Sequence, residues 1–131
     1  MKSFIPYLST LISLLVIDGI WLASTGKAFY GKYLAHLIAP SMSWIPVILF
    51  YFNYALGITV FVVSPAIRNN MSLGHVFLLG AFLGLIAYGA YDFTNQATLR
   101  DWPIIVTIVD LLWGAFLTGV VSALTVWISR M

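Results

Sequence analysis

Cysteine is absent from the 131 residues, which excludes disulfides, thiolate metal sites and cysteine nucleophiles together, although it does not identify a redox compartment. Charge is scarce as well: Asp, Glu, Lys and Arg make up 8% of the chain, against about a quarter in a soluble domain. The six Lys and Arg are scattered singly, so no basic face can neutralise a run of phosphates and nucleic acid is no partner. HExxH, a Ser-His-Asp order and a phosphate-cradling Gly loop are missing too. What fills the chain instead is apolar: 62% of residues are hydrophobic and the mean hydropathy is +1.02. That composition belongs to an integral membrane protein whose first partner is the lipid bilayer.

Four apolar segments approach the roughly 20 residues a helix needs to cross the hydrocarbon, at about Phe4–Ala23, Trp44–Val63, Gly74–Tyr91 and Pro103–Trp127. The third is short unless it runs on into the polar stretch that follows it. Met1 to Ala23 has the outline of a secretory signal with Lys2 as its charged start, but Asp18 interrupts it and no cleavage site is evident, so it reads as the first span. The expectation is an all-α, four-helix transmembrane bundle over residues 1–131, a single domain with both termini on one side. Ser64 to Leu73, with Pro65, Arg68, Asn69 and Asn70, makes spans two and three an antiparallel hairpin. Between spans one and two, Phe29, Tyr30, Tyr33, Leu34, Leu37 and Ile38 recur at three- and four-residue steps, which predicts a helix lying in the interface; an aromatic-rich loop is the alternative.

Chain direction sorts the charges. Lys2, Arg68 and Arg130 fall on the side of the termini, and Lys27, Lys32 and Arg100 on the other. The positive-inside rule is therefore nearly silent, and only the N-terminal amine tips the termini toward the cytoplasm. Asp18, late in the first span, Asp92, ending the third, and Asp110, early in the fourth, all converge on the half away from the termini. Asp101 and Arg100 read as solvated turn charges.

Helical spacing gives every span a polar or small seam. Tyr88, Tyr91, Asp92 and Asn95 share a face of the third; Thr107, Asp110, Gly114, Thr118, Ser122 and Thr125 form a stripe on the fourth; Asn53, Gly57 and Ser64 lie along one side of the second. These seams should face inward. Gly80 with Gly84, and Ala115 with Gly119, are small-xxx-small pairs that let helices approach. "IDGIWLA" and "VDLLWGA" both place Trp three residues after Asp, giving Trp21 and Trp113. Trp21, Trp44, Trp102 and Trp127 fit an interfacial belt before a ligand cage.

An Asp near mid-helix costs about 2.5 to 3.5 kcal/mol on insertion scales, so Asp18 and Asp110 need compensation from Arg100, Lys27 or Lys32, from a proton, or from a bound cation. A structural role as buried hydrogen-bond partners competes with a functional one. The excess of polar groups from Asp92 to Thr98 predicts a knot in which Asp92 and Asn95 hold the third span against its neighbours, with Arg100 as counter-ion.

"YDFTNQATL" from Tyr91 to Leu99, then "RDWP", "VDLLWG" and "IDGIWL", resemble the small bacterial membrane proteins grouped as domain of unknown function 2177, over essentially the whole chain. Phe93 stands where Leu is expected. The resemblance implies a four-helix, multi-pass inner-membrane protein and treats Asp92, Thr94 and Asn95 as one unit; it brings no activity.

The leading reading is a small-solute or cation- or proton-linked transporter or channel subunit, with Asp18 and Asp110 central and Asp92, Asn95, Tyr91, Tyr88, Trp21, Trp113 and Asn53 as further candidates to contact a ligand or ion. One four-helix chain encloses little volume, so transport favours a homo-oligomer. The alternatives are an accessory subunit holding a lipid headgroup or partner helix and, behind it, a membrane enzyme acting on an amphipath. The enzyme lacks a partner for its acid, since His75 starts the third span on the wrong side and only His36 lies near. No metal site and no cofactor is expected; the expected ligand is small and polar, cationic or amphipathic.

Overall fold

The computed structural model describes residues 4–131, so Lys2 and the N-terminal amine lie outside it. Four helices are long and apolar enough to cross a membrane: α1 (Phe4–Tyr33), α2 (Trp44–Arg68), α3 (Leu73–Thr98) and α4 (Ile104–Ser129). The last two have 26 residues each, or roughly 39 Å at 1.5 Å per residue, which exceeds the hydrocarbon thickness and leaves room for tilt.

Each helix runs past the C-terminal end of its sequence-based bounds, for local reasons. In α3 the polar residues after Tyr91 stay helical, with the Thr98 hydroxyl donating back to the Thr94 carbonyl at 2.7 Å. The helix stops where Leu99 becomes extended (φ −97°, ψ 142°) and Asp101 takes φ 60°, ahead of Pro103. The segment after Thr25 is helical only as far as Tyr33, and Leu34, Leu37 and Ile38 of the expected interfacial helix fall outside it. It continues α1 through a π-helical turn, Gly26–Tyr30, into Gly31–Tyr33, and swings Tyr30 back onto the bundle. Leu37 and Ile38 lie beyond it and are exposed. A second π-helical turn, Thr59–Val63, interrupts α2. Between α2 and α3, Asn70 adopts φ 51° and the Ser72 side chain caps α3 by accepting from the His75 amide at 3.2 Å.

Helix α4 is the central pole, with 44% of its most apolar window buried against 22–28% in the other three. Its stripe Thr107, Asp110, Gly114, Thr118, Ser122 and Thr125 is buried as expected. Leu117, Val121 and Val126 extend it into a core shared with Leu14 of α1, Ile58 and Val63 of α2, and Val76 of α3. Ile12, Ile20, Phe61, Phe82 and Leu112 are exposed and form the lipid-facing surface. The two ends of the bundle are closed by different contacts. Near the C-terminus Arg130 donates to the Met71 carbonyl at 2.5 Å, and at the opposite end His36 Nε2–H donates to the Asp101 carbonyl at 3.1 Å.

The α3–α4 pair depends on missing side chains. A Cβ at Gly80 would sit 2.6 Å from Ser122 Oγ, and one at Gly84 would strike the Gly114 carbonyl; Gly114 itself lies under the Tyr88 ring. The small-xxx-small pairs are thus used for close packing. Gly84→Ala is expected to destabilise the hairpin by about 1 to 3 kcal/mol through overpacking. Gly74→Ala, where nothing lies within 4 Å, should leave the thermal midpoint in detergent nearly unchanged.

Candidate functional site

Asp18 on α1 and Asp110 on α4 each precede a tryptophan by three residues, and the structure crosses the two pairs. Trp113 Nε1 donates to Asp18 Oδ1 at 2.9 Å. Trp21 Nε1 donates to the Tyr30 hydroxyl at 3.2 Å, and Tyr30 donates in turn to Asp110 Oδ1 at 2.5 Å. The two indoles stack with centroids 4.3 Å apart and planes 9° off parallel. The second oxygen of Asp18 accepts a hydrogen bond from the Tyr51 hydroxyl of α2. Each acid therefore receives a tyrosine hydroxyl and is linked, directly or through Tyr30, to the tryptophan of the other helix. Trp21, expected in an interfacial belt, is half-buried in this network. The carboxyl groups of Asp18 and Asp110, both buried, are bridged by aromatic side chains.

Asp92 approaches from α3 and differs from the other two. It is fully buried, and neither of its oxygens has a hydrogen-bond partner among the described residues. Asp110 is the neighbouring acid, and a carboxylate there would offer Asp92 only acceptors. Tyr88, half-buried, covers Gly114 on the same side and meets Tyr54 edge-on at 6.4 Å; Tyr54 and Thr118 share a hydrogen bond of 2.5 Å. Lys27, Lys32 and Arg100 are all exposed. The donors that reach Asp18 and Asp110 are neutral hydroxyl and indole groups, as the structural alternative expected, and none of the three basic candidates serves as a counter-ion. Among the described residues no group of three or more His, Cys, Asp or Glu is arranged to hold a metal ion.

A family model described as "Predicted membrane protein (DUF2177)" matches residues 3–127. The chain belongs to the DUF2177 family. No curated protein and no solved structure matches it. Every residue of the acid–aromatic network falls inside the matched range, whereas Arg130 lies beyond it.

In this DUF2177 chain the polar knot after Tyr91 exists, but its members differ from those expected. Gln96 Nε2 donates to the Trp102 carbonyl at 2.8 Å, Thr107 donates to Gln96 Oε1 at 2.8 Å, and Trp102 Nε1 donates to the Thr107 hydroxyl at 3.1 Å. Gln96, next to Asn95 and about 100° further round the helix, is the residue that ties α3 to α4. Asn95 is half-buried and Asp92 is not part of the tie. Arg100 therefore does not act as the Asp92 counter-ion. Trp102, expected in the interfacial belt, is buried, and Tyr91, exposed, packs edge-on against it at 5.8 Å.

The seam expected on α2 is rotated. Tyr54, Ile58 and Thr59 are buried, whereas Asn53 faces outward on a groove of about 420 Å³ that α2 forms with Leu83 and Ala87 of α3. Tyrosine explains the rotation: a long side chain keeps its ring in the apolar layer while its hydroxyl reaches a polar partner. Tyr51 and Tyr30 were not singled out as site residues. Their only sequence signal was membership of aromatic-rich segments that face the acids once the helices pack.

Gln96→Ala is expected to cost about 1 to 3 kcal/mol, because it leaves Thr107 and Trp102 groups without partners. Asn95→Ala should cost much less. Thermal unfolding in detergent compares the two, and equal losses would show that Gln96 is not the tie.

Proposed function

We propose that this protein is a cation- or proton-linked carrier or channel subunit of the bacterial inner membrane, with Asp18, Asp92 and Asp110 as its working groups. One observation carries the reading: Asp92 is completely buried beside a second acid and has no donor to either oxygen among the described residues. Intramembrane ionisable groups without a partner mark ion and proton pathways. A proton or a cation placed between Asp92 and Asp110 supplies what Asp92 lacks. Tyr30 and Tyr51 then offer hydroxyls that donate to Asp110 and Asp18, so charge on the acids is spread over neutral dipoles instead of being cancelled by a fixed cation. Histidine chemistry is remote from this site, since His75 is exposed at the start of α3 and His36 is engaged with Asp101. This favours carriage over catalysis.

The test is reconstitution into liposomes holding a pH-sensitive or cation-sensitive dye, with an imposed diffusion potential. The parent protein is expected to carry current above empty vesicles. Asp92→Asn and Asp110→Asn should reduce it by an order of magnitude or more, and Asp101→Asn, at an exposed turn, should not. Asp92→Asn is expected to keep its thermal midpoint, because the carboxamide keeps the shape of the carboxyl group and can itself donate toward Asp110. Asp18→Ala should lose about 1 to 3 kcal/mol, since Trp113 and Tyr51 forfeit their acceptor. Equal flux in parent and Asp92→Asn, or none in the parent, overturns the reading. Binding of a quaternary ammonium probe without flux would favour the accessory role, in which the same acids hold a cationic headgroup.

We further propose that both termini are cytoplasmic, which places the acids in the outer half of the membrane. The charge balance gives only the N-terminal amine in favour of that orientation. Fusions of a periplasmically active reporter at Met131 should be inactive; an active fusion reverses the assignment.

A further inference from the structure

The outward position of Asn53 has no explanation inside one chain. Asn53 is exposed on α2, three residues or roughly 4.5 Å along the axis from Leu56, the middle residue of Trp44–Arg68. At that depth the surrounding medium is hydrocarbon, which offers a carboxamide neither donor nor acceptor. The outward faces of the other helices at comparable depth carry apolar side chains: Val16 on α1, Phe82 and Ile86 on α3, and Leu112 and Phe116 on α4. Only α2 presents an amide there.

Gly57 lies one turn after Asn53 on the same groove. Gly80, Gly84, Gly114 and Gly119 each have a neighbour that forbids a Cβ, whereas a Cβ at Gly57, as at Gly19, Gly26 and Gly74, meets nothing within 4 Å. The chain's own packing therefore does not require glycine at position 57. Its absence of a side chain deepens the groove of about 420 Å³ between Asn53, Val60 and Phe61 on one wall and Leu83 and Ala87 on the other.

We propose that the Asn53–Gly57 face of α2 is a dimer interface whose occupant is a second copy of this chain. Polar complementarity selects that occupant. An amide both donates and accepts, so two Asn53 side chains related by a two-fold axis along the membrane normal satisfy each other, which no acyl chain can do. The glycines allow the two α2 backbones to approach closely, and the outward Leu56 and Val60 of each copy fill the groove of the other. The proposal is independent of the acid–aromatic site and holds whether or not that site carries ions.

The cysteine-free chain makes the test direct. Single-cysteine variants Val60→Cys, in the groove, and Leu112→Cys, on the far exposed face, are reconstituted into bilayers and oxidised. Val60→Cys is expected to give a disulfide-linked dimer, since equivalent Cα atoms near the axis fall within the about 4.4 to 6.8 Å that a disulfide spans; Leu112→Cys is expected to give none above background. In a fluorescence dimerisation assay in the same bilayers, Asn53→Leu should weaken association by roughly threefold to twentyfold, from the range measured for interhelical hydrogen bonds. Gly57→Leu should weaken it as well. Both should leave the monomer's thermal midpoint unchanged, because neither side chain supports the chain's own packing. Equal cross-linking at both cysteines, an Asn53→Leu dimer as tight as the parent, or a monomer that native mass spectrometry finds with a phospholipid in the groove would overturn the proposal.

Discussion

Placing carboxyl groups inside hydrocarbon constrains everything around them, because each must find donors or carry a cost that no surface contact can offset. Here the donors for Asp18 and Asp110 come from other helices. Trp113 of α4 reaches Asp18 of α1, which sets the register of the two helices to within one turn. Tyr30 can reach Asp110 only because α1 continues past Thr25 through a widened turn. The stacked indoles, 4.3 Å apart, then hold both arrangements at once, so moving either helix along its axis breaks a hydrogen bond and a ring contact together.

The opposite flank of α4 is governed by absence of side chain. Gly80 and Gly84 bring α3 against α4 closely enough that a methyl group would not fit. On this flank Asp92 is fully buried. The two flanks thus have different consequences. On the α1 side the acids are satisfied by aromatic donors, and on the α3 side one acid is left without any. Structural support for the end of α3 comes from Gln96, Trp102 and Thr107, and Asp92 takes no part in it.

Small and polar residues play two roles in this bundle, and location separates them. Along α4 the buried threonines and Ser122 face neighbouring helices, with Thr125 accepting from Thr10 at 3.3 Å and Thr118 bonded to Tyr54. On the outer side of α2, Asn53 is exposed and a Cβ at Gly57 would meet nothing of the chain. The inward glycines are explained by the backbone or ring they approach, and Gly57 lies on the face proposed to meet a second copy.

Much of this was determined by the sequence alone. Apolar runs separated by Pro, Asn and Asp set four spans and put both termini on one side, and the 3.6-residue period marked the α4 stripe and the glycine pairs, since these depend only on local spacing. The repeated Asp-x-x-Trp was visible, but not that the pairs would cross. Tertiary structure decided that, along with the choice of Gln96 over Asn95, the burial of Trp102, and the outward turn of Asn53. Periodicity defines a face on each helix but not how far that face is rotated toward its neighbours, and about 100° separates one residue from the next. The tyrosine hydroxyls that complete the site lie 33 and 80 residues from the acids they contact. Contacts of that separation arise only when helices pack, which is why the convergence of the acids was legible and their tyrosine partners were not.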